Sequence, residues 1–375
     1  MNFDKLTEFL MSHDTDFVPG LDITVWQYHN EIYRHRQGFR NREKGIPMDG
    51  TEQYWIYSAT KVFTATAGMQ LIERGIMGPD DPVSKYLPAF GTLSWDDHGH
   101  IRAVTEPLTI RHLFTMTGGF SYDLNSPSLE KAKFYSRNQA DTLTMVNALA
   151  EEPLLFEPGK HYKYSLCHDV LAAVIEVASG MKFSEYLRKN IWEPLGITRT
   201  GFTGENTENF SVQYLADEQN HRAVLSERGM GCNYRLTDNY ESGGAGLYST
   251  VDDYIRLSDA LACGGIGKTG ARILKPETID LMRTDQLTPE LRKEFLNHTG
   301  PHYSYGFGVR TNIDPANFAS PKGEFGWDGA ANAYTLIDPE NKLSIYLGMS
   351  IFGFGYGYTV IHHKVRDLVY EGLKA

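Results

Sequence analysis

The sequence predicts a mixed α/β fold with an all-α part: a mainly antiparallel sheet, flanked by N- and C-terminal helices and interrupted by a helical insertion lobe. Strand patterns lie near both ends of the 375-residue chain, and helical patterns with proline-containing connections fill its middle. A chain of this length can form two lobes that share a cleft. We therefore expect residues 1–80 and 240–375 to form one discontinuous α/β lobe, residues 81–239 a mainly helical lobe, and the active site to lie between them.

The N-terminal part is predicted to form a helix, a hairpin and a second helix. In MNFDKLTEFL the apolar side chains share one helix face, namely Phe3, Leu6, Phe9 and Leu10. LDITVWQYHNEIYRHRQG reads as two strands joined by a tight turn around residues 29–31. The stretch from about Ser58 to Gly75 predicts a mostly buried helix that ends at glycine.

The rest of the chain first predicts helices and then strands. LTIRHLFTM and HDVLAAVIEVASG are helical patterns in the middle, and a further helix follows Gly243. Strand patterns return in YSYGFGVRT, ANAYTLID and KLSIYLGMS. The final stretch, VIHHKVRDLVYEGLKA, predicts an amphipathic helix, so both chain ends are expected to lie near each other.

Composition excludes several classes of function. The net charge of −11 disfavours nucleic-acid partners, and no apolar run is long enough to span a membrane. The N-terminus carries acids and lacks the unbroken apolar stretch of a signal peptide, so we expect a cytoplasmic protein. Neither the three cysteines nor the histidines at 98, 100, 362 and 363 have metal-ligand spacing, and no cofactor is expected. The oligomeric state does not follow from sequence.

The stretch YSATKVFTA, residues 57–65, places Ser58 three residues before Lys61. Residues i and i+3 share a helix face, so the lysine can reach the hydroxyl. The apolar helix that follows would desolvate the ammonium and lower its pKa. The lysine could then take the proton of the serine hydroxyl, so that the serine can be acylated. Two further S-x-x-K matches, at 128–131 and 179–182, lie in a polar stretch and across a glycine, and we interpret both as chance.

With LTIRHLFTMTGG at 108–119 and GGAGLYSTVDDY at 243–254, the S-x-x-K helix resembles the serine β-lactamase and penicillin-binding-protein superfamily. The resemblance is closest to class C β-lactamases and the related carboxylesterases. It implies that Ser58 is the nucleophile and Lys61 its base. In that group a catalytic tyrosine follows a P-G pattern, and EPGKHYKYSLCHD aligns Tyr164 with it. A phenol near a lysine is expected to favour its ionised form and to shuttle the serine proton.

Two positions depart from the lactamase pattern. Leu166 replaces an asparagine whose amide helps to hold the substrate, and Trp327 replaces the lysine of a K-T-G element that binds substrate carboxylates. The literal K-T-G at 268–270 lacks a strand pattern, so Trp327-Asp328-Gly329 is the better match. A carboxylate of Asp328 in the cleft would oppose the lowering of the Lys61 pKa, and we expect it to face solvent.

The resemblance also implies an oxyanion hole formed by the backbone N–H groups of Ser58 and Ala330. Five residues are then expected to contact a substrate, and they are Tyr122, Leu166, Trp327, Asp328 and Gly329.

These residues favour a serine hydrolase, most simply a carboxylesterase, that cleaves small-molecule esters or amides through an acyl-serine. The same site could carry β-lactamase or D-amino-acid peptidase activity, which the two departures weigh against. Acyl transfer to another acceptor stays open because it shares the acyl-enzyme. A binding protein that has lost turnover would not need Ser58, Lys61 and Tyr164 together. A conventional Ser-His-Asp hydrolase would need a G-x-S-x-G elbow, which the sequence lacks.

Overall fold

The structure is a computed structural model that describes residues 1–203, 207–227, 231–299 and 302–375. In chain order its α-helices are α1 Asp4–Met11, α2 Thr60–Glu73, α3 Ile110–Phe114, α4 Pro127–Tyr135, α5 Thr142–Leu149, α6 Cys167–Ser179, α7 Phe183–Leu187, α8 Glu193–Leu195, α9 Val251–Ala262, α10 Pro276–Arg283, α11 Pro289–Thr299 and α12 His362–Lys374. Its strands are β1 Gly20–Gln27, β2 Asn30–Asn41, β3 Ile46–Pro47, β4 Tyr54–Trp55, β5 Ser94–Asp97, β6 His100–Ala103, β7 Tyr214–Asp217, β8 Arg222–Leu225, β9 Tyr248–Ser249, β10 Tyr303–Tyr305, β11 Arg310–Asn312, β12 Phe325–Gly326, β13 Tyr334–Asp338, β14 Leu343–Gly348 and β15 Ile351–Phe352.

An eight-stranded antiparallel sheet joins the two ends of the chain, which confirms the predicted fold class. Its strand order is β10-β11-β12-β13-β14-β1-β2-β3. Strand β1 lies between β14 and β2, so that Ile23 is opposite Leu347 on one side and His35 on the other. The N-terminal hairpin turns at Tyr28 and His29, both with positive φ, slightly before the predicted position.

The two faces of this sheet are covered by different helices. Alternate residues of β1 and β14, such as Ile23 and Ile345, pack against α1 and α12. On the other face Tyr346 stacks on Tyr254 of α9, with ring centroids 4.0 Å apart. The N–H of Asn2 also bonds to the carbonyl of Gly372, so the prediction that the chain ends lie together is confirmed.

Helix α2 begins two residues after Ser58 and is buried on almost its whole circumference. Residues 60–71 are all buried, and α2 packs against α6, which is buried along most of its length. A helix surrounded by protein needs no polar face, which explains why apolar and small residues are not confined to one side of it. The helix ends at Glu73, and Gly75 follows with a φ of 68°, close to the predicted stop.

The segment from 81 to 239 contains more strand than its sequence predicted. It contains the hairpin β5–β6, and β7–β8 form a three-stranded sheet with β15 from the C-terminal part. These strands are four residues long, too short for an alternating pattern to identify them. Among the described residues, no helix combines the length and apolar character needed to cross a membrane.

Candidate active site

Ser58 lies in a tight turn between strand β4 and the buried helix α2. After β4, a 3₁₀ turn at Tyr57–Ala59 leads directly into α2. Tyr57 has a φ of 46°, a left-handed conformation that is uncommon for an aromatic residue, and it turns the chain sharply just before Ser58. Ser58 stays partly exposed while both neighbours are buried, and it lines a cavity.

Lys61 lies one turn further along α2 and is fully buried. Its Nζ donates a hydrogen bond of 2.8 Å to the carbonyl oxygen of Gly244. Burial lowers the pKa of Lys61 to about 7, although the negative charge of Asp169 acts in the opposite direction. Near neutral pH a large fraction of this lysine is therefore the free amine, which can accept a proton.

Asp169 is a buried charge that the sequence did not single out. It lies in the first turn of α6, where its Oδ1 accepts hydrogen bonds of 2.7 Å from Tyr240 and 2.6 Å from Ser242. An acidic residue in a first helical turn is common, because it complements the helix dipole. Only the folded chain shows that this carboxylate also acts on Lys61.

Tyr164 connects the serine to the rest of the site. Its hydroxyl is hydrogen-bonded to the Ser58 side chain and accepts a 3.1 Å bond from Nε1 of Trp327. The Nζ of Lys61 lies 4.5 Å from the centre of the tyrosine ring. Burial raises the pKa of Tyr164 and outweighs both hydrogen bonds, so the phenol is protonated at neutral pH. The expectation of a favoured phenolate is therefore wrong.

Residues 327–330, which we call the W-D-G arm, follow β12 and pass close to the turn that contains Ser58. A Cβ atom at Gly329 would lie 2.2 Å from the carbonyl oxygen of Ile56, so only glycine fits there. This close approach places Ala330, which also lines the cavity, beside the start of the Ser58 turn.

Asp328 does not extend into bulk solvent, contrary to the expectation from strand alternation. It lines the cavity with its side chain 28% exposed, and it binds Nη1 of Arg310 at 2.8 Å. Arg310 is itself buried, and its other Nη donates to the carbonyl oxygen of Thr335. The guanidinium partner offsets the charge of Asp328, and the residues that shift the pKa of Lys61 do not include this aspartate. A pairing between β11 and the W-D-G arm could not be predicted from local sequence.

The cavity has a volume of about 890 Å³, within the usual range for small-molecule sites. Its described lining residues are Ser58, Tyr122, Phe156, His161, Tyr162, Lys163, Tyr164, Tyr234, Glu294, Trp327, Asp328, Gly329, Ala330 and Tyr358. Seven of them are aromatic, so most of the wall is apolar or weakly polar. Glu294 at the rim is paired with His161 at 2.7 Å and accepts the N–H of Tyr162, which leaves neither wall carboxylate without a partner.

Most of the predicted site residues come together at this cavity. Tyr122 stacks on Tyr164, with ring centroids 5.6 Å apart, and Trp327 stacks on the same tyrosine at the same distance. Leu166 differs: it is 2% exposed, packs in the core, and does not belong to the described cavity wall. Its replacement of an amide therefore removes a polar group without creating an apolar contact surface. The K-T-G at 268–270 also lies away from the described wall, and Lys268 is over the ring of Trp26 instead.

One group of potential metal ligands occurs in the described part of the chain, and no sequence motif indicates it. Its members are His29, Asp259 and Cys263, with ligand atoms within 4.8 Å of one another. The carboxylate of Asp259 already accepts both the backbone N–H and Nδ1 of His29. These contacts fix the β1–β2 turn to α9, and none of the three residues lines the cavity.

Comparison with known proteins gives the same fold and a consistent range of activities. A family model described as Beta-lactamase matches residues 10–357. Esterase EstB of Burkholderia gladioli is 32% identical over 93% of this chain and 90% of its own length. Monacolin J acid methylbutanoyltransferase of Aspergillus terreus is 27% identical over 76% of this chain and 74% of its own.

A solved structure shows the same overall fold. A structure described as EstCE1, a hydrolase with promiscuous acyltransferase activity, superposes with a TM-score of 0.80 at 26% identity, covering 98% of this chain and 97% of the other. A superposition that covers nearly the whole of both chains shows that the two proteins share one overall fold.

Proposed function

Because this chain belongs to the serine β-lactamase and penicillin-binding-protein superfamily, we propose that it is a carboxylesterase that cleaves esters or small amides through an acyl-serine intermediate. One observation carries the proposal. The Ser58 side chain is hydrogen-bonded to Tyr164, directly beside a buried lysine whose pKa is about 7. A hydroxyl becomes an effective nucleophile when a neighbouring group can take its proton.

In the proposed first step Ser58 Oγ attacks the carbonyl carbon of the ester. The serine proton passes to the oxygen of Tyr164 while the phenol proton passes to the free amine of Lys61, so no phenolate accumulates. The proton then returns through Tyr164 to the leaving alcohol as the carbon–oxygen bond breaks. Water repeats the sequence in the second half-reaction: it loses a proton to the same pair, releases the acid and restores Ser58.

The negative oxygen of each tetrahedral intermediate is proposed to bind the backbone N–H groups of Ser58 and Ala330. Support comes from Gly329, whose missing side chain lets the W-D-G arm approach the backbone before Ser58. Donors fixed in this way stabilise the oxyanion without reorganising during the reaction.

We propose uncharged esters as the preferred substrates. The wall is largely aromatic, and the carboxylates of Asp328 and Glu294 are paired with Arg310 and His161. Trp327 stands where a lactamase has a cation for the substrate carboxylate, and its indole N–H is used by Tyr164. A penicillin would lose that ion pair, whereas a neutral ester would lose nothing.

The test uses p-nitrophenyl acetate and butyrate beside the chromogenic cephalosporin nitrocefin, with intact mass recorded for an acyl adduct. We expect ester turnover, an adduct on the wild-type protein, and loss of both in Ser58→Ala. Ser128→Ala is the matched control, because Ser128 begins the second S-x-x-K sequence and lies outside the cavity. Rapid nitrocefin turnover would favour the lactamase alternative, and the absence of both Ser58-dependent turnover and a Ser58-dependent adduct would favour a binding protein.

Acyl transfer is a second candidate function, favoured by the printed descriptions of two similar proteins, a methylbutanoyltransferase and a hydrolase with promiscuous acyltransferase activity. The acyl-enzyme is common to both reactions, and only the second nucleophile differs. Turnover of p-nitrophenyl butyrate in the presence of a primary alcohol separates them. Transfer predicts a butyrate ester that increases with alcohol concentration, whereas strict hydrolysis yields butyric acid throughout.

A further inference from the structure

A tight turn begins in the W-D-G arm at Gly329 and continues to Asn332, and the carbonyl group of Gly329 accepts hydrogen bonds from two directions. The carbonyl oxygen of Gly329 accepts a 2.7 Å hydrogen bond from the hydroxyl of Tyr358 and a 2.9 Å bond from the N–H of Asn332. The N–H of Gly329 in turn donates to the carbonyl of Ala333 at 2.8 Å. Asn332 has a φ of 67°, which closes the turn.

The orientation of this carbonyl also fixes the next N–H group. In a trans peptide the C=O of one residue and the N–H of the next point in opposite directions across a rigid plane. Holding the oxygen of Gly329 therefore holds the N–H of Ala330. That N–H is one of the two proposed oxyanion donors, so the phenol of Tyr358 acts on it through a single peptide plane.

The surroundings of Tyr358 keep its hydroxyl protonated, so that it can donate a hydrogen bond. It follows β15, in the π-helical segment Gly357–Ile361 that leads into α12, and its ring packs at a steep angle against His362, with centroids 5.3 Å apart. Burial raises its pKa, so the phenol keeps its proton at working pH. The residue also lines the cavity, beside the arm that it binds.

We propose that Tyr358 is a positioning residue that directs the Ala330 N–H at the developing oxyanion. This inference rests on the proposed function, because the oxyanion exists only if Ser58 forms tetrahedral intermediates. It assigns Tyr358 a role in turnover, distinct from contact with the substrate. Because tetrahedral intermediates form in both acylation and deacylation, both steps depend on it.

The test is Tyr358→Phe, which removes only the hydroxyl. We expect kcat for a p-nitrophenyl ester to fall about 3- to 10-fold with KM nearly unchanged, in line with the loss of one hydrogen bond while the Asn332 bond remains. A trifluoromethyl ketone matched to the acyl chain forms a tetrahedral adduct with a negative oxygen, and its inhibition constant should rise by a similar factor. Tyr356→Phe is the control: this tyrosine is two residues away and its hydroxyl lies 3.4 Å from the ring of His13.

An unchanged kcat and inhibition constant in Tyr358→Phe would overturn the inference, and so would a rise in KM alone, which would make Tyr358 a substrate contact only. If that variant does not fold, Tyr358→Gln and Tyr358→Leu form a second pair of similar size, in which only glutamine can still donate to the carbonyl. Gln is then expected to keep the higher kcat, and equal values would overturn the inference. If the wild type itself shows no Ser58-dependent turnover or adduct, the proposed function fails first and the inference with it.

Discussion

The amine of Lys61 determines how activity should depend on pH. Burial lowers its pKa to about 7, and only the neutral amine can accept the serine proton. We therefore expect kcat/KM for a neutral ester to increase about tenfold per pH unit below 7 and to level off above it. Initial rates between pH 5 and 9 measure this directly. A flat profile across that range would contradict Lys61 as the base.

Substitution of Asp169 provides a second test of the Lys61 amine as the base. The charge of Asp169 raises the pKa of Lys61 against the larger effect of burial. Asp169→Asn keeps an oxygen that can accept the bonds from Tyr240 and Ser242 but removes the charge. The acidic limb of the pH profile should then move to lower pH. Asp4→Asn on the exposed face of α1 is the control and should leave the limb in place.

At the scale of elements, the oxyanion-binding role proposed for the W-D-G arm depends on how closely its backbone approaches the Ser58 turn. In Gly329→Ala the new Cβ would lie 2.2 Å from the carbonyl oxygen of Ile56, so one backbone must move. We expect kcat/KM to fall by at least about tenfold because an oxyanion donor is displaced. Gly91→Ala is the matched control, because its Cβ would meet only Ser84 at an ordinary 3.6 Å. Equal activity in both variants would show that the arm's position is not limiting.

The same arm is anchored to the sheet through Arg310 of β11. This guanidinium bonds to Asp328 and lies 3.8 Å from the buried carboxylate of Glu324. Arg310→Met would leave Asp328 without its bonded cation and Glu324 with Arg366 alone, and we expect a loss of about 3 kcal/mol in the free energy of unfolding. Urea denaturation of Arg102→Met provides the comparison: Arg102 is 61% exposed and pairs with Asp97 at the surface, where such pairs contribute about 1 kcal/mol or less. Similar losses in the two variants would mean that the Arg310 network is not a buried anchor.

At the scale of the whole molecule, the features that the sequence predicted correctly are those that local sequence patterns encode. Ser58 and Lys61 lie three residues apart at the start of one helical pattern, and Tyr164 and Trp327 each lie in a recognisable motif, so the four could be named before the fold was known. Hairpin and terminal-helix patterns likewise predicted a sheet that joins both chain ends. Three features were missed because they depend on long-range pairing: Asp169 beside Lys61, Arg310 against Asp328, and Tyr358 on the carbonyl of Gly329.

The buried amine of Lys61 lowers the stability of the fold by an amount that depends on pH. In the unfolded chain Lys61 has its ordinary pKa of 10.5, whereas in the folded chain the value is about 7. Between these values the unfolded chain binds the extra proton, so the folded state gains stability as pH rises. Below pH 7 the full cost is present, and above 10.5 it disappears.

Lys61→Met removes this titration and keeps a side chain of similar length. We expect the variant to be inactive and more stable than the wild type, by a margin that shrinks by about 2 to 3 kcal/mol between pH 6 and pH 9, since each pKa unit corresponds to about 1.4 kcal/mol. The lost bond to Gly244 lowers the margin equally at both pH values and does not affect the difference. Lys364→Met, at an exposed position of α12, should show no such trend. Denaturant unfolding at the two pH values would contradict the account if the Lys61→Met margin stayed constant, because the buried lysine would then keep its ordinary pKa and could not serve as the base.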